Sequence, residues 1–225
     1  MSQTNKKTDS EIQRDVLDEL KWDTRVKETA VGVEVRGGTV TLTGTVDSWT
    51  ARLAAAEAAH RVSGVLDVAN DVQVKLPGSA ERNDTDVARA VRTALEWDVL
   101  VPDERIRTTV SNGVVTLEGK VDFWSQCDDA ARAVRNLSGV RDVRNLITVE
   151  PSSARVSPHA VRTAIEHALE RHAEHAAKRV VIAVADGKVV LSGDVPTWTE
   201  RVAVEGAVRG TPGVWKVDNQ LRIQP

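Results

Sequence analysis

The chain has 225 residues, of which 41% are hydrophobic and 28% charged, the composition of an ordinary globular protein. Its formal net charge of −3 argues against a general binder of nucleic acid, because such proteins usually carry a strong basic excess. The single cysteine, Cys127, excludes an intramolecular disulfide and a cysteine-cluster metal site. No stretch reaches the roughly 18 apolar residues of a membrane span. The polar N-terminus carries no signal peptide as written, so we expect a cytoplasmic protein.

One pattern organises the chain because it occurs three times. Each copy runs from a glycine to a tryptophan, over Gly38–Trp49, Gly113–Trp124 and Gly187–Trp198. The first two copies start 75 residues apart and the last two 74 residues apart. A period of this kind indicates tandem structural repeats, and units this small are marginal alone, so we expect them to pack on one another. The predicted domains are residues 8–76, 83–150 and 157–224.

Each repeat predicts the order helix, strand, strand, helix, strand. The first helix follows a residue type that caps helix N-termini, and the two strands are joined by dipeptides that suit a type I′ turn. A right-handed crossover through the second helix returns the last strand to the same sheet. The predicted fold class is α+β, with three tandem αββαβ repeats, each with a small three-stranded mixed sheet and two helices packed on one face. The caps are Thr8, Asn83 and Ser157, and the dipeptides are Gly37-Gly38, Asn112-Gly113 and Asp186-Gly187.

Glycines recur at three positions of every repeat, and we interpret them as structural. The first position lies in the hairpin turn, at Gly38, Gly113 and Gly187. The second lies on the inward face of the second strand, where we predict a bulge or a close approach by the second helix, at Gly44, Gly119 and Gly193. The third is predicted to end the second helix in a left-handed conformation, at Gly64, Gly139 and Gly213.

The combination of these positions resembles the BON domain family. All three repeats match the pattern, over nearly the whole chain. In the second repeat it is read in Gly113, Val115, Leu117, Gly119, Val121, Gly139, Val140, Val143, Asn145 and Ile147. The resemblance implies a non-enzymatic binding protein of the osmotic-stress and envelope-associated type, without a cofactor, that associates with phospholipid surfaces. Because the family includes periplasmic proteins, the periplasm is the alternative compartment.

The recurring tryptophans Trp49, Trp124 and Trp198 begin the predicted second helix and lie on its flank. Two interpretations stay open. The indoles can pack against a neighbouring repeat, or they can meet a lipid headgroup interface, where tryptophan is favoured. Exposed indoles would support the membrane interpretation, whereas indoles buried between repeats would count against it.

The repeats are not equivalent in their surface residues. Trp22 and Trp97 recur near the end of the first helix, but the third repeat has Arg171 there. The second repeat also carries a set of arginines, among them Arg132 and Arg135, that could form a basic strip for anionic headgroups. A solvated surface is the alternative interpretation for these arginines.

Two further sets of polar residues were weighed for binding roles. Asn70, Asn145 and Asn219 share the inward parity of the last strand, and we interpret them as pinning local backbone rather than binding a ligand. His172 and His175 have the i,i+3 spacing of helical metal ligands. The other repeats lack these histidines, so we predict a solvated polar face and no metal site.

No catalytic motif is recognisable, because the sequence has neither a GxxxxGK[ST] loop, nor a dinucleotide fingerprint, nor a nucleophile elbow. Cys127 is followed by Asp128 and Asp129, which predict a raised pKa for its thiol. We therefore predict a non-enzymatic protein that contacts an anionic phospholipid surface or a protein partner. The alternative is a soluble adaptor, or a sensor of a small ligand or ion, that binds through clefts between the repeats.

Overall fold

The structure is a computed structural model that describes residues 7–78, 81–150, 157–172 and 179–224. Within these ranges, three units repeat the predicted order of elements. Unit one contains α1 (Asp9–Trp22), β1 (Val31–Arg36), β2 (Thr39–Val46), α2 (Trp49–Arg61), β3 (Asp67–Asn70) and β4 (Gln73–Val74). Unit two contains α3 (Asp84–Trp97), β5 (Ile106–Ser111), β6 (Val114–Val121), α4 (Trp124–Arg135) and β7 (Asp142–Val149). Unit three contains α5 (Pro158–His172), β8 (Val180–Ala185), β9 (Lys188–Val195), α6 (Trp198–Arg209) and β10 (Lys216–Ile223).

The second strand of each unit is the centre of a small mixed sheet. It pairs antiparallel with the first strand and parallel with the last, which in unit one is split into β3 and β4. Units two and three repeat this topology with a continuous last strand. The prediction of an α+β fold with three αββαβ repeats is confirmed.

Both helices pack on one face of each sheet, so every unit has its own core. In unit one the stripe Ile12, Val16 and Leu20 of α1 is buried against Val40 and Leu42 of β2. The second helix of this unit is rich in buried alanines, whose short side chains let the helix lie close to the sheet. Units two and three have equivalent cores.

Local signals in the sequence predicted the helix starts and the hairpins correctly. The Thr8 hydroxyl and the Glu11 side chain form a capping box at α1, and Asn83 caps α3 by accepting a hydrogen bond from the Asp86 N–H at 2.8 Å. In the hairpin of unit two, both central residues have positive φ, 51° at Asn112 and 75° at Gly113, as a type I′ turn requires.

The strand glycines are sites of close approach, but the approaching element differs from the prediction. A Cβ on Gly44, Gly119 or Gly193 would lie 2.1–2.2 Å from a backbone carbonyl oxygen. That carbonyl belongs to the residue just before the first strand, for example Ala30, and not to the second helix. The predicted helix crossing at this point is wrong, because the antiparallel neighbour already fills the space.

The third set of glycines does not cap the second helix directly. Helix α2 ends at Arg61, and Gly64, with φ of 95°, lies in the following turn. That turn is closed by the Val65 N–H, which donates to the Val62 carbonyl at 3.3 Å. Gly139 and Gly213 occupy the same place in their units, with φ of 93° and 88°. The positive φ was predicted correctly, but it serves the turn into the last strand.

Candidate functional site

The three units contact one another in a closed cycle through equivalent residues. In each contact, the tryptophan that begins the second helix of one unit meets either the end of the second helix or the start of the last strand of the next. Trp49 of unit one meets unit two, Trp124 meets unit three, and Trp198 returns to unit one. Equivalent tryptophans of the repeat therefore supply one side of each of the three interfaces.

At the first interface the contacts are hydrogen bonds. The Trp49 indole N–H donates to the Asp142 carboxylate at 2.7 Å, and the Thr50 hydroxyl donates to the Asn136 side-chain oxygen at 2.7 Å. The Arg52 guanidinium lies 3.9 Å from the same Asp142 carboxylate. Trp49 is half-buried, so its ring contributes packing as well as one hydrogen bond.

The second interface is aromatic and cationic. The Arg209 guanidinium lies 4.6 Å from the centroid of the Trp124 ring. Trp215 of unit three packs against the core of unit two. The Trp124 indole nitrogen and the Arg209 Nε are buried and have no hydrogen-bond partner among the residues that the structure describes. Buried N–H groups without a partner cost free energy, so these two groups could each donate a hydrogen bond to a bound molecule.

The third interface stacks two rings. The Trp198 and His60 rings lie 4.0 Å apart with an interplanar angle of 11°, and the Arg201 guanidinium lies 5.0 Å from the Trp198 centroid. Burial lowers the pKa of His60, and the negative charge of Asp67 only partly opposes this effect. The imidazole at this interface therefore favours its neutral form.

The structure shows where the residues predicted to contact a membrane or a partner lie. Trp49, Trp124 and Trp198 are half-buried between units, which is the arrangement that favours packing over an exposed membrane patch. Arg132 is exposed, but its guanidinium donates to the Asp129 carboxylate at 2.6 Å. Arg135 is partly buried on α4. The basic strip is therefore less available to anionic headgroups than the sequence alone suggests.

The recurring asparagines bind backbone in their own units. The Asn145 side-chain NH₂ donates to the Cys127 carbonyl at 2.8 Å, while its side-chain oxygen accepts from the Ile147 N–H at 3.2 Å. Asn70 makes the same two kinds of contact. Asn219 keeps the strand contact but donates to the Glu205 carboxylate instead. Each side chain ties the last strand to the second helix, which is a structural role.

The Cys127 thiol is buried, and its surroundings disfavour the thiolate. Burial raises the pKa of Cys127 to about 11, and the nearby charge of Asp128 adds to the increase. The residues that the structure describes contain no group of three or more His, Cys, Asp or Glu side chains that could hold a metal ion. His175 and the side chain of His172 lie outside the described residues.

An exposed apolar surface lies at the far end of the first helix in unit two. Trp97 is 84% exposed, and the neighbouring Val99 and Leu100 are 96% and 60% exposed. We call these three residues the apolar tip. Trp22, at the equivalent position of unit one, is also 84% exposed. The sequence showed that Trp22 and Trp97 recur, but it took the structure to show that these indoles, unlike the three at the interfaces, face solvent.

A cleft of about 810 Å³ separates parts of units two and three. Unit two contributes Phe123 and Trp124, and unit three contributes the hairpin turn at Asp186 and Gly187 and the segment that ends at Trp215. We expected binding in clefts between the repeats from the sequence, but the sequence did not indicate the residues of this cleft. The signal that could have found it was the replacement of Leu66 and Arg141 by Trp215 at the equivalent position of unit three.

The fold and its interfaces define a protein of three tandem αββαβ repeats whose surface carries an apolar tip and an inter-unit cleft. A family model for the BON domain matches residues 8–75, 83–151 and 159–225. The chain belongs to the BON domain family.

The chain is also similar to individual proteins. The osmotically-inducible protein Y of Escherichia coli (strain K12) is 30% identical over 141 residues, which cover 61% of this chain and 70% of that relative. Among solved structures, CdsD of Chlamydia trachomatis, described as a structural protein of the type III secretion system, is 15% identical with a TM-score of 0.27. That match covers 96% of this chain and 93% of CdsD. The PrgH periplasmic domain is 10% identical with a TM-score of 0.21, and the match covers 93% of this chain and all of that domain.

Proposed function

We propose that the protein is a non-enzymatic BON protein of the osmotic-stress type that associates peripherally with phospholipid surfaces through the apolar tip. The observation that carries this proposal is the exposure of Trp97, Val99 and Leu100 on one short segment. Contiguous exposed apolar side chains mark interaction surfaces, and tryptophan is favoured at the membrane–water interface. None of the described helices is long and apolar enough to cross a membrane, so the association proposed is peripheral.

The tip is held by polar contacts that leave its apolar side chains outside the core. The Val101 N–H donates to the Asp98 carbonyl at 3.0 Å, and the Leu100 N–H donates to the Asp98 carboxylate at 3.0 Å. Val99 and Leu100 are the two central residues of the turn closed in this way. Because Asp98 and the buried Val101 fix the turn, the exposure of the tip is built into the fold.

Unit one keeps the exposed Trp22 and the same turn, but the two central residues of its turn are polar. Its Val26 N–H donates to the Asp23 carbonyl at 3.0 Å, but the central position equivalent to Leu100 is Arg25. The Arg25 guanidinium is paired with Asp23 at 2.8 Å and with Glu57 at 3.0 Å. The fold therefore does not require an apolar turn here, which supports a role in binding for the tip of unit two.

The size of the tip suits reversible binding. Transfer of a Val, Leu or larger side chain from water to an apolar phase is worth about 1.5–3 kcal/mol when burial is complete. Partial insertion of the three tip residues then contributes on the order of 5 kcal/mol, the range of sub-millimolar dissociation constants. The stress association rests on the family and on the name of the Escherichia coli relative, osmotically-inducible protein Y.

Vesicle co-sedimentation tests the proposal. Wild type and the variant Trp97→Ser/Val99→Ser/Leu100→Ser are incubated with neutral and anionic phospholipid vesicles, at low and at physiological salt. We expect wild type to pellet with vesicles and the variant to stay in the supernatant. The net charge of −3 and the apolar nature of the tip predict only a modest effect of salt.

A matched control removes exposed apolar surface elsewhere. Val181 and Val202 are 62% and 53% exposed in unit three, so Val181→Ser/Val202→Ser should pellet like wild type. Circular dichroism checks that all variants fold. The membrane proposal is wrong if wild type does not pellet with any vesicle, or if the tip variant pellets as well as wild type does.

A second candidate function is a soluble sensor or adaptor that binds a small ligand between units. The observation that favours it is the cleft between units two and three, which has aromatic, polar and charged walls contributed by both units. Its volume of about 810 Å³ is within the usual range of about 300–1,000 Å³ for small-molecule sites.

A further inference from the structure

The hairpin turns of units one and two are each bound by a carboxylate. The Asp9 carboxylate accepts hydrogen bonds from the N–H groups of Gly37 and Gly38 at 2.8 and 2.9 Å. The Asp84 carboxylate accepts from the N–H groups of Asn112 and Gly113 at 2.7 and 2.9 Å. A type I′ turn in this fold therefore presents two convergent N–H donors that fit the two oxygens of a carboxylate.

Unit three keeps the turn but has lost the aspartate. The residue equivalent to Asp9 and Asp84 is Pro158, which has no acceptor side chain. Asp186 and Gly187 have φ of 49° and 75°, close to the 51° and 75° of Asn112 and Gly113. The donor pair of unit three is thus formed in the same geometry. No described side chain accepts from the Asp186 or Gly187 N–H.

This turn forms part of the cleft wall between units two and three. The opposite wall carries Phe123 and Trp124, and Trp215 lies beside the turn, where its indole N–H donates to the Asp186 carbonyl at 2.7 Å. The whole chain has six Trp, one Phe and no Tyr, so three of its seven aromatic side chains line this cleft.

Comparison of the repeats shows that the fold does not demand these aromatic residues. The position of Phe123 is occupied by Ser48 and Thr197 in the other units. Both of those side chains cap the second helix, by accepting from the Ala51 N–H and the Glu200 N–H at 3.2 Å. Phe123 cannot make this bond and is 58% exposed. Unit two therefore forgoes about 1 kcal/mol of capping to place a ring at the cleft.

The charges around the cleft are unevenly neutralised. Of its three carboxylates, those of Glu150 and Asp122 are ion-paired with Lys120 at 2.9 Å and with Arg105 at 2.6 Å, and the third belongs to Asp186 in the turn. Among its cations, Arg209 is paired with Glu205. The Lys188 ammonium lies 5.1 Å from the Trp215 ring centroid and has no carboxylate within ion-pair distance among the described residues. Lys188 occurs only in unit three, since the equivalent residues are Thr39 and Val114.

We propose that this cleft binds a small molecule with one carboxylate and an apolar or aromatic body. The proposal rests on the second candidate function and gives its ligand class. The ligand carboxylate accepts from the Asp186 and Gly187 N–H groups, as Asp9 and Asp84 do in their own units, and Lys188 provides the countercharge. The body of the ligand lies against Trp124, Trp215 and Phe123. The Asp186 side chain is the one like charge at the turn, and it opposes binding.

The experiment uses three probes that share one apolar body. The full chain, labelled with ¹⁵N, is titrated with 4-phenylbutyrate, 4-phenylbutan-1-ol and 4-phenylbutylamine, and amide shifts are followed by NMR. We expect 4-phenylbutyrate to move the Asp186 and Gly187 amide signals downfield, toward the hydrogen-bonded Asn112 and Gly113 signals. The alcohol and the amine should bind at least about tenfold more weakly, because they cannot accept the paired hydrogen bonds.

Three variants test the geometry. Pro158→Asp gives unit three the carboxylate of its sister units, so the turn donors become occupied and 4-phenylbutyrate binding should weaken at least about tenfold. Pro158→Ala removes the proline without adding a carboxylate and should bind like wild type. Asp186→Asn copies Asn112 and should tighten binding of the carboxylate by removing the like charge.

The outcomes distinguish a wrong ligand class from the absence of a ligand site in the cleft. If the alcohol or the amine binds at the cleft as tightly as the carboxylate, the cleft is a ligand site but the carboxylate assignment is wrong. If Pro158→Asp binds 4-phenylbutyrate as wild type does, the turn is not the site of recognition. Absence of cleft shifts with all three probes would overturn both the assignment and the second candidate function. The vesicle assay does not depend on any of these results.

Discussion

The indole of Trp198 in unit three stacks on the imidazole of His60 in unit one, and this contact closes the cycle of units. The residues equivalent to His60 are Arg135 and Arg209. His60 is the histidine among these three equivalent positions, and the ordinary pKa of histidine lies near neutral pH. The strength of the interface between the first and last units can therefore depend on pH.

We predict that the wild type loses stability as the pH falls through the range in which His60 titrates. Burial holds the pKa of His60 below its ordinary value of 6.5 in the folded protein. Between that lowered pKa and 6.5, the unfolded chain binds more protons than the folded chain. The stabilisation is complete above pH 6.5 and declines as the pH falls toward the folded pKa. Urea unfolding at a series of pH values measures this decline.

His60→Gln is the control for the pH effect, because glutamine keeps a polar side chain but does not titrate. Its free energy of unfolding should vary less with pH than that of wild type, from pH 7 down to the lowest pH at which His60 still titrates. An equal dependence in the variant would show that folding leaves the pKa of His60 unchanged, and a steeper one would show that the protonated imidazole is favoured on the Trp198 face. Either result contradicts the dominance of burial.

We predict that Gly193→Ala destabilises unit three strongly. Gly193 has φ of 120°, and a Cβ there would lie 2.2 Å from the Arg179 carbonyl oxygen. The paired strands must shift to admit it, and we expect a loss of about 3 kcal/mol or more. Gly206→Ala in α6 is the control, since a Cβ there meets nothing within 4 Å. That change should stabilise by up to about 1 kcal/mol through helix propensity. Similar thermal melting of the two variants would contradict this account.

Much of the fold could be predicted because its determinants are local and occur three times. Turn dipeptides such as Asn112-Gly113 and helix caps such as Thr8 act within a few residues, and the repeat shows which positions the fold requires. The element that approaches Gly44 was predicted wrongly because this contact is not determined by local sequence signals. Strand parity shows that a glycine faces inward, but it cannot show whether a helix or an adjacent strand fills the space.

The candidate site was less predictable because exposure depends on how the units pack together. The sequence pattern places Trp49 on the flank of the second helix and Trp97 near the end of the first helix. It does not show that Trp49 is half-buried against Asp142 whereas Trp97 is 84% exposed. Helical periodicity describes burial within a unit and contains no information about the neighbouring unit. The cleft required in addition that Phe123 and Trp215, which are distant in sequence, be brought to one interface.

We predict that Asp84→Ala destabilises the hairpin of unit two. The variant removes both hydrogen bonds from the turn N–H groups of Asn112 and Gly113, which we expect to cost about 1–2 kcal/mol at this half-buried site. Amide exchange at those two residues should also become faster. Thr85→Ala is the neighbouring control, since Thr85 is exposed and should change stability by less than about 0.5 kcal/mol. Equal stability of the two variants would show that the aspartate contributes little.

Phe123→Ser should raise the stability of the protein but weaken the binding of a ligand in the cleft. The change restores the helix cap that Ser48 provides in unit one, and we expect a gain of about 1 kcal/mol in the free energy of unfolding. The gain should not be larger, because the Gln126 N–H, which a serine hydroxyl would bind, already donates to the Phe123 carbonyl at 3.1 Å. Urea unfolding measures the stability, and the NMR titration measures the affinity of the cleft for 4-phenylbutyrate.

Phe123→Ala distinguishes the two effects, because alanine removes the ring without providing a cap. It should weaken binding of 4-phenylbutyrate as Phe123→Ser does, but without the gain in stability. If both variants bind the carboxylate as wild type does, the exposed ring of Phe123 is not part of the ligand site. If neither variant differs from wild type in stability, the N-terminus of α4 is already fully satisfied by Gln126, and placing a ring at the cleft costs the fold nothing.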